Sequence, residues 1–353
     1  MLTQRQQIIW LLGSAFVVWC MIMLGGATRL THSGLSMVEW RPLVGMMPPI
    51  SADEWSRVFE LYKQYPEYQK INLGMTLAEF KGIFLMEYAH RMVGRLIGIV
   101  YFLPMIWFWF KGQMPDWLKT RSVFILGLGG LQGLMGWYMV KSGLVDMPEV
   151  SHYRLTVHLL LALAILGAMM WTAFQLSSNS DKWQVGPLSK MAFATIGILV
   201  VTMTFGGFVA GKKAGLIYNT YPDMGGQFIP SEWADLSPMW LNFFENDATI
   251  QFVHRWLAII ALLKVMALGL ASIKNYPDVK LLHKSVAVMV SAAFLQIILG
   301  ILTICYQVPV IIGTLHQGVA ALLLITVLWV TFQTGLPKRA DKSYNHDGTR
   351  QLA

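Results

Sequence analysis

The chain has 353 residues, of which 55% are hydrophobic and only 13% charged, with a mean hydropathy of +0.52. Soluble domains carry about 25% charged residues, so this composition excludes an ordinary soluble enzyme and selects lipid as the bulk solvent. The net charge of +8 does not mark a nucleic-acid binder, because the basic residues fall mostly in short loops between apolar runs, where membrane orientation accounts for them.

A helix needs about 20 apolar residues to cross a bilayer. Eight runs qualify, at roughly 8–28, 83–110, 122–140, 155–177, 191–211, 250–273, 285–305 and 310–334. The first could pass for a signal peptide, but its glycine motif recurs inside the chain, where no signal peptidase acts, so it reads as a retained helix. No Arg- and Ser-rich transit segment precedes it, and a bacterial inner membrane is expected rather than a mitochondrial one. The second run contains Glu87, His90, Arg91 and Arg95, and the sixth contains His254, Arg255 and Lys264. Cys20 and Cys305 lie inside apolar runs with no CxxC motif, so neither a disulfide framework nor a thiolate zinc site is expected.

Basic residues alternate from loop to loop. Arg5, then Lys111, Lys119 and Arg121, then Lys182 and Lys190, then Lys274, Lys280 and Lys284, then Lys338, Arg339, Lys342 and Arg350 all fall on one side. The positive-inside rule makes that side cytoplasmic, with both termini. The two longest loops, 29–82 and 212–249, then face outward.

The second half repeats the first. Gly25, Gly26, Gly34, Leu35, Gly45 and Pro49 recur as Gly206, Gly207, Gly215, Leu216, Gly226 and Pro230. His90-Arg91 recurs as His254-Arg255, Leu131-Gln132 with Gly136 as Leu295-Gln296 with Gly300, and Thr156 and His158 as Thr314 and His316. An even number of helices separates the copies, so they share one orientation. The expected architecture is an all-α integral membrane protein of eight transmembrane helices, arranged as two tandem four-helix bundles (1–180 and 181–335) related by a pseudo-two-fold duplication, with a polar cytoplasmic tail over 336–353. Close helix approach explains the glycine pairs without any ligand.

Of eight histidines, the four inside helices are the four related by the repeat: His90, His158, His254 and His316. Each is expected within the first two turns of a helix that starts on the outer side. One intramembrane histidine is ordinarily an interhelical hydrogen-bond partner. Four at matched depth, two per bundle, suit heme iron held from both faces. The natural pairs are His90 with His158 and His254 with His316, although pairing across the halves stays open. Zinc would be short of ligands at either pair.

The repeat breaks at Glu87. It precedes His90 by three residues and shares its helix face, whereas the matching residue before His254 is the neutral Gln251. A carboxyl at the hydrocarbon edge is costly unless it is paired or protonated. Two readings remain: an ion pair to Arg91 at i+4, or an acid or base beside the first heme, which would make the first bundle the reactive one. Arg91, Arg95 and Arg255 could pair with heme propionates or with acids.

The segments Leu24-Gly25-Gly26-Ala27-Thr28-Arg29-Leu30-Thr31, Gly34-Leu35-Ser36 with Glu39-Trp40, Glu87-Tyr88-Ala89-His90-Arg91, Phe252-Val253-His254-Arg255 and Leu315-His316-Gln317 resemble the heme A synthase family over about residues 8–335. The resemblance implies oxidation of the C8 methyl group of heme O to a formyl group, through an alcohol and a hydrated aldehyde, for terminal oxidase biogenesis. It implies Glu87 as the catalytic carboxylate, His90 and His158 as ligands of the substrate heme, and His254 and His316 as ligands of a heme b cofactor. Residues 29–82 contain no cysteine, as in the cysteine-free branch of alphaproteobacteria and mitochondria. Partners implied are heme O, the lipid bilayer, a contact with heme O synthase, an electron acceptor that no motif identifies, and a second copy in a homo-oligomer. The competing readings are a diheme b-type cytochrome that leaves heme unmodified, and a transporter or assembly factor. The transporter reading needs broken helices, and only Pro104 is expected to interrupt one.

Overall fold

The computed structural model describes residues 2–39, 47–143, 150–178 and 183–335. Trp40, Gly45, Lys182 and the 336–353 tail, with Lys338, Arg339, Lys342, His346 and Arg350, lie outside the described residues. In chain order the helices are α1 (Leu2–Leu30), α2 (Ala52–Tyr62), α3 (Pro66–Lys70), α4 (Leu77–Phe110), α5 (Asp116–Gly143), α6 (His152–Ser178), α7 (Pro187–Gly211), α8 (Asn242–Glu245), α9 (Asp247–Asn275), α10 (Lys280–Cys305) and α11 (Val310–Thr334). All but α2, α3 and α8 are long and apolar enough to cross a membrane. The shortest of these eight has 25 residues and reaches about 37 Å at 1.5 Å per residue, more than the roughly 30 Å hydrocarbon core. Among the described residues there is no strand beyond one isolated bridge between Met224 and Gln227.

Taken in chain order, the first four spanning helices are called the first set and the last four the second set. In the first, α1 packs on α4 and α6, and α5 packs on α4 and α6; in the second, α7 packs on α9 and α11, and α10 on α9 and α11. The sets meet through α1 against α11, α6 against α7, and α6 against α11. In lipid such contacts rest on close van der Waals packing rather than on apolar burial from water. One core joins Trp10, Leu11 and Val18 of α1 to Tyr101, Leu118 and Leu166 of its set, and reaches Ala321 and Leu324 of α11. The other joins Leu199, Val265, Val286 and Met289 to Val327 and Val330.

Helix α4 corrects two expectations. It runs unbroken through Pro104 to Phe110, because packed neighbours tolerate the one lost backbone bond in a membrane helix. It also begins earlier than hydropathy indicates, at Leu77. Thr76 and Glu79 form a capping box there, which satisfies the first free N–H groups and carries the helix above the membrane. His90 therefore lies more than three turns into α4, not within two.

The exposed start of α4 supports a cap built from residues 51–76. A second capping box, Ser51 with Glu54, starts α2, and Pro66 starts α3. Trp55, Phe59 and Tyr62 of α2 pack against Phe80 and Phe84 of α4. Within this cap Glu67 is 5% exposed. The Tyr62 hydroxyl donates to its Oε2 at 3.2 Å and accepts from Asn72 Nδ2 at 2.7 Å.

Burial and the nearby Glu87 charge push the Glu67 carboxyl up to about 8, while the Tyr62 hydrogen bond works in the opposite direction. A carboxyl raised in the folded state binds its proton more tightly there than in the unfolded chain. Its stabilising effect is thus complete below the unfolded value of about 4.3 and is lost as pH rises through about 8. Thermal unfolding in detergent is expected to show a midpoint that falls between about pH 5 and 8, and Glu67→Gln is expected to flatten that slope. An unchanged slope in the variant would assign the pH dependence to another group.

Candidate functional site

Each of the four histidines related by the repeat lies against a glycine of a neighbouring helix, while His152 and His283 also fall in the first turns of α6 and α10. A Cβ built on Gly25 of α1 would stand 3.3 Å from His90 Nε2 of α4, and one on Gly136 of α5 would stand 3.2 Å from His158 Cε1 of α6. A Cβ on Gly206 of α7 would stand 2.9 Å from His254 Cε1 of α9, and one on Gly300 of α10 would stand 2.9 Å from His316 Cε1 of α11. The glycines are therefore more than helix-packing residues: each leaves the space that one imidazole occupies. The two positions repeat between the sets, as the sequence offsets require.

The structure brings His254 and His316 together, with ring centroids 6.5 Å apart and planes at 84°. An iron–nitrogen bond of about 2 Å plus roughly 1 Å from nitrogen to ring centre, on each side, places two axial imidazoles about 6 Å apart. This spacing fits a bis-histidine heme, and it brings together two histidines of the same half. His254 Nδ1 lies 3.0 Å from the Thr202 carbonyl; as the donor there, it leaves Nε2 as the free ligand atom, the arrangement that fixes a metal-binding tautomer. Gln296 Nε2 lies 3.2 Å from His316 Nδ1, and Gln132 Nε2 lies 3.3 Å from His158 Nε2. His158 Nδ1 and the Oε1 atoms of Gln132 and Gln296 are buried without a partner. Unsatisfied polar atoms of this kind are uncommon in a packed interior, and here they cluster around the imidazoles. In the first set, His158 lies within electrostatic range of His90. The donor set and its spacing at His254 and His316 thus suit heme, and no cluster of three or more metal-ligating side chains occurs among the described residues.

Glu87 sits one turn above His90, with its side chain 3% exposed. Ser36 Oγ donates to its Oε2 at 2.7 Å and the Met37 N–H to the same oxygen at 2.8 Å. Arg91 Nη2 donates to Oε1 at 2.5 Å and to the Met37 carbonyl at 3.0 Å. The i+4 ion pair foreseen as one of two readings is therefore present, inside a cradle of three donors that holds the carboxylate beside the first site.

The second set repeats the backbone of this cradle without its charge. Arg255 donates to the carbonyls of Tyr218, Thr220 and Asp223 at 2.9 Å each. Gln251 Nε2 donates to Tyr218 at 3.0 Å, and its Oε1 is buried without a partner. Tyr218 is the repeat of Met37, and both carbonyls accept from the equivalent arginine. The repeat of Ser36 is Ile217, so the hydroxyl donor is lost together with the acid.

Sequence reasoning singled out the histidines and Glu87 but not the groups that contact them. Gln132 and Gln296 were visible only as repeated positions, and Ser36 only as part of a family-like stretch. Thr202 carried no signal, because its contribution is a backbone carbonyl. Arg91 and Arg255 are committed to protein acceptors, whereas Arg95 donates to Met92 Sδ at 3.5 Å.

The family of cytochrome oxidase assembly proteins (COX15-CtaA) matches residues 8–328. A heme A synthase of Nitrosospira multiformis is 45% identical over 341 residues, covering 94% of each chain. One of Rhodospirillum centenum is 44% identical over 324 residues, covering 91% of this chain and 86% of its own. One of Paramagnetospirillum magneticum is 45% identical, covering 94% of both. With nearly the whole length matched, every spanning helix included, the chain belongs to the cytochrome oxidase assembly protein family in which heme A synthases are its relatives.

Proposed function

We propose that this chain is a heme A synthase, an oxidoreductase that converts the C8 methyl group of heme O into the formyl group of heme A. The observation that carries the reading is the asymmetry between two otherwise matched histidine sites. Among the described residues, only the first has a buried carboxylate, and only there do a hydroxyl, a backbone N–H and a guanidinium converge to hold one.

His90 and His158 hold the substrate porphyrin, and His254 and His316 hold heme b. Bound heme b supplies one-electron chemistry at its iron. Methyl oxidation removes electrons and protons and adds oxygen. Glu87, fixed by Arg91, Ser36 and Met37, accepts a proton or stabilises positive charge developing at the methyl carbon. Surrounding apolar helices take the prenyl tail. The α4–α5 seam is packed more loosely than its counterpart α9–α10, which supports exchange at the first site and permanent occupancy at the second. The two sets are read as tandem copies of one four-helix unit, with the basic loops and both termini on the cytoplasmic face of a bacterial inner membrane.

The test is extraction of heme from protein purified from cells that make heme O. Heme O, its hydroxylated form or heme A is expected beside heme b. Recovery of heme b alone, with no conversion of added heme O, would replace this reading with a diheme cytochrome.

A further inference from the structure

Each set opens with a helix bearing two adjacent glycines, and the two members of each pair face different ways. Gly25 and Gly206 face the histidines of their own sets, His90 and His254. Gly26 and Gly207 face the opposite set. A Cβ on Gly26 would stand 2.7 Å from Oε1 of Gln317 on α11, and one on Gly207 would stand 2.5 Å from Oγ1 and 3.1 Å from Cβ of Thr156 on α6. Gln317 directly follows His316, and Thr156 precedes His158 by two residues.

Each glycine pair therefore touches its own histidine with one residue and, with the next, the helix that carries a histidine of the other set. Gln317 Nε2 also donates to the Ile22 carbonyl of α1 at 2.8 Å, and Trp19 Nε1 donates to the Gly318 carbonyl at 2.9 Å. Thr156 is 2% exposed and its hydroxyl has no hydrogen-bond partner among the described residues, so packing places it. At the membrane surface, Arg29 Nη2 donates to the Gly211 carbonyl at 3.0 Å, closing α1 onto α7.

We propose that the Gly25–Gly26 and Gly206–Gly207 pairs couple the two histidine sites, so that Gly26 with Gln317 positions His316, and Gly207 with Thr156 positions His158, each across the seam between the sets. The inference rests on reading the sites as heme sites and extends it. The ligand geometry at one site becomes a function of residues in the other set. Packed interiors transmit such displacements because they have little free volume to absorb them.

The experiment is Gly26→Ala, with EPR spectra and a redox titration of the heme b that copurifies with the protein. The substitution lies in the first set, yet the g-values and midpoint potential of the second-set heme are expected to shift. EPR is suited to this because the ferric signal reports the angle between the two imidazole planes. Gly26→Ala combined with Gln317→Ala removes the clash and is expected to return the spectrum to that of Gln317→Ala alone. The reciprocal Gly207→Ala is expected to weaken heme O binding at the first site about tenfold and to leave the heme b signal in place. An unchanged heme b signal in Gly26→Ala overturns the coupling. So does a shift that persists undiminished in the double variant, since that is general distortion. Wild-type protein that binds no heme overturns the functional reading itself, and the coupling with it.

Discussion

Glu87→Gln is expected to lower conversion of heme O by at least about 100-fold, the usual scale for losing a positioned acid–base group, while heme content stays at the wild-type level. The second set provides the internal control. Gln251 occupies the equivalent position there, and the helix, the neighbouring histidine and the arginine are all accommodated around it. Glutamine at 87 therefore fits the fold. Its cost is local: Arg91 and the Met37 N–H are donors aimed at a carboxylate, and an amide can satisfy only one of them through its oxygen. A donor left facing a donor in a buried cradle costs about 1–3 kcal/mol, which the wild-type margin of a packed membrane protein absorbs. The measurement is single-turnover conversion of bound heme O, read by heme extraction. A variant that makes heme A at the normal rate would reduce Glu87 to a structural ion pair with Arg91, the alternative that the i+4 spacing already offered.

The parts legible in the sequence were those written in side-chain type and spacing. Eight apolar runs gave eight spanning helices because hydrophobic length is set by the bilayer, and the repeat offsets placed the four histidines in corresponding positions because packing of equivalent helices is itself repeated. The ends of helices were less legible. Hydropathy places the start of the second run near residue 83, yet the capping box at Thr76 extends α4 beyond it, since capping is independent of lipid. The supports of the site were illegible for a different reason. The Thr202 carbonyl and the Met37 N–H and carbonyl are backbone groups that every residue possesses, and only the fold aims them at His254, Glu87 and Arg91. The glycines were visible but underread. A glycine beside a helix and a glycine beside an imidazole leave the same letter in the sequence, and only the structure distinguishes them.

His254→Ala is expected to lower bound heme b more than about tenfold, since even the loss of a partner that merely orients a metal ligand costs 10- to 100-fold in affinity. His90→Ala is expected to leave about one heme b per chain and to abolish conversion. The contrast between the two variants matters more than either alone. The 6.5 Å separation of His254 and His316 already suits iron, and His254 is held by the Thr202 carbonyl, so removing that ring would take away one of the two proposed ligands and leave Gln296 bonding the other. Among the described residues His90 has no hydrogen bond comparable to that of His254 and rests against Gly25 of α1, as a ligand to a porphyrin that must leave after turnover would. A division of labour between substrate and cofactor requires the two variants to separate retention from conversion. If both lose the same heme to the same extent, the two sites are equivalent in use, and the single carboxylate at Glu87 would have to be explained without assigning the chemistry to the first set.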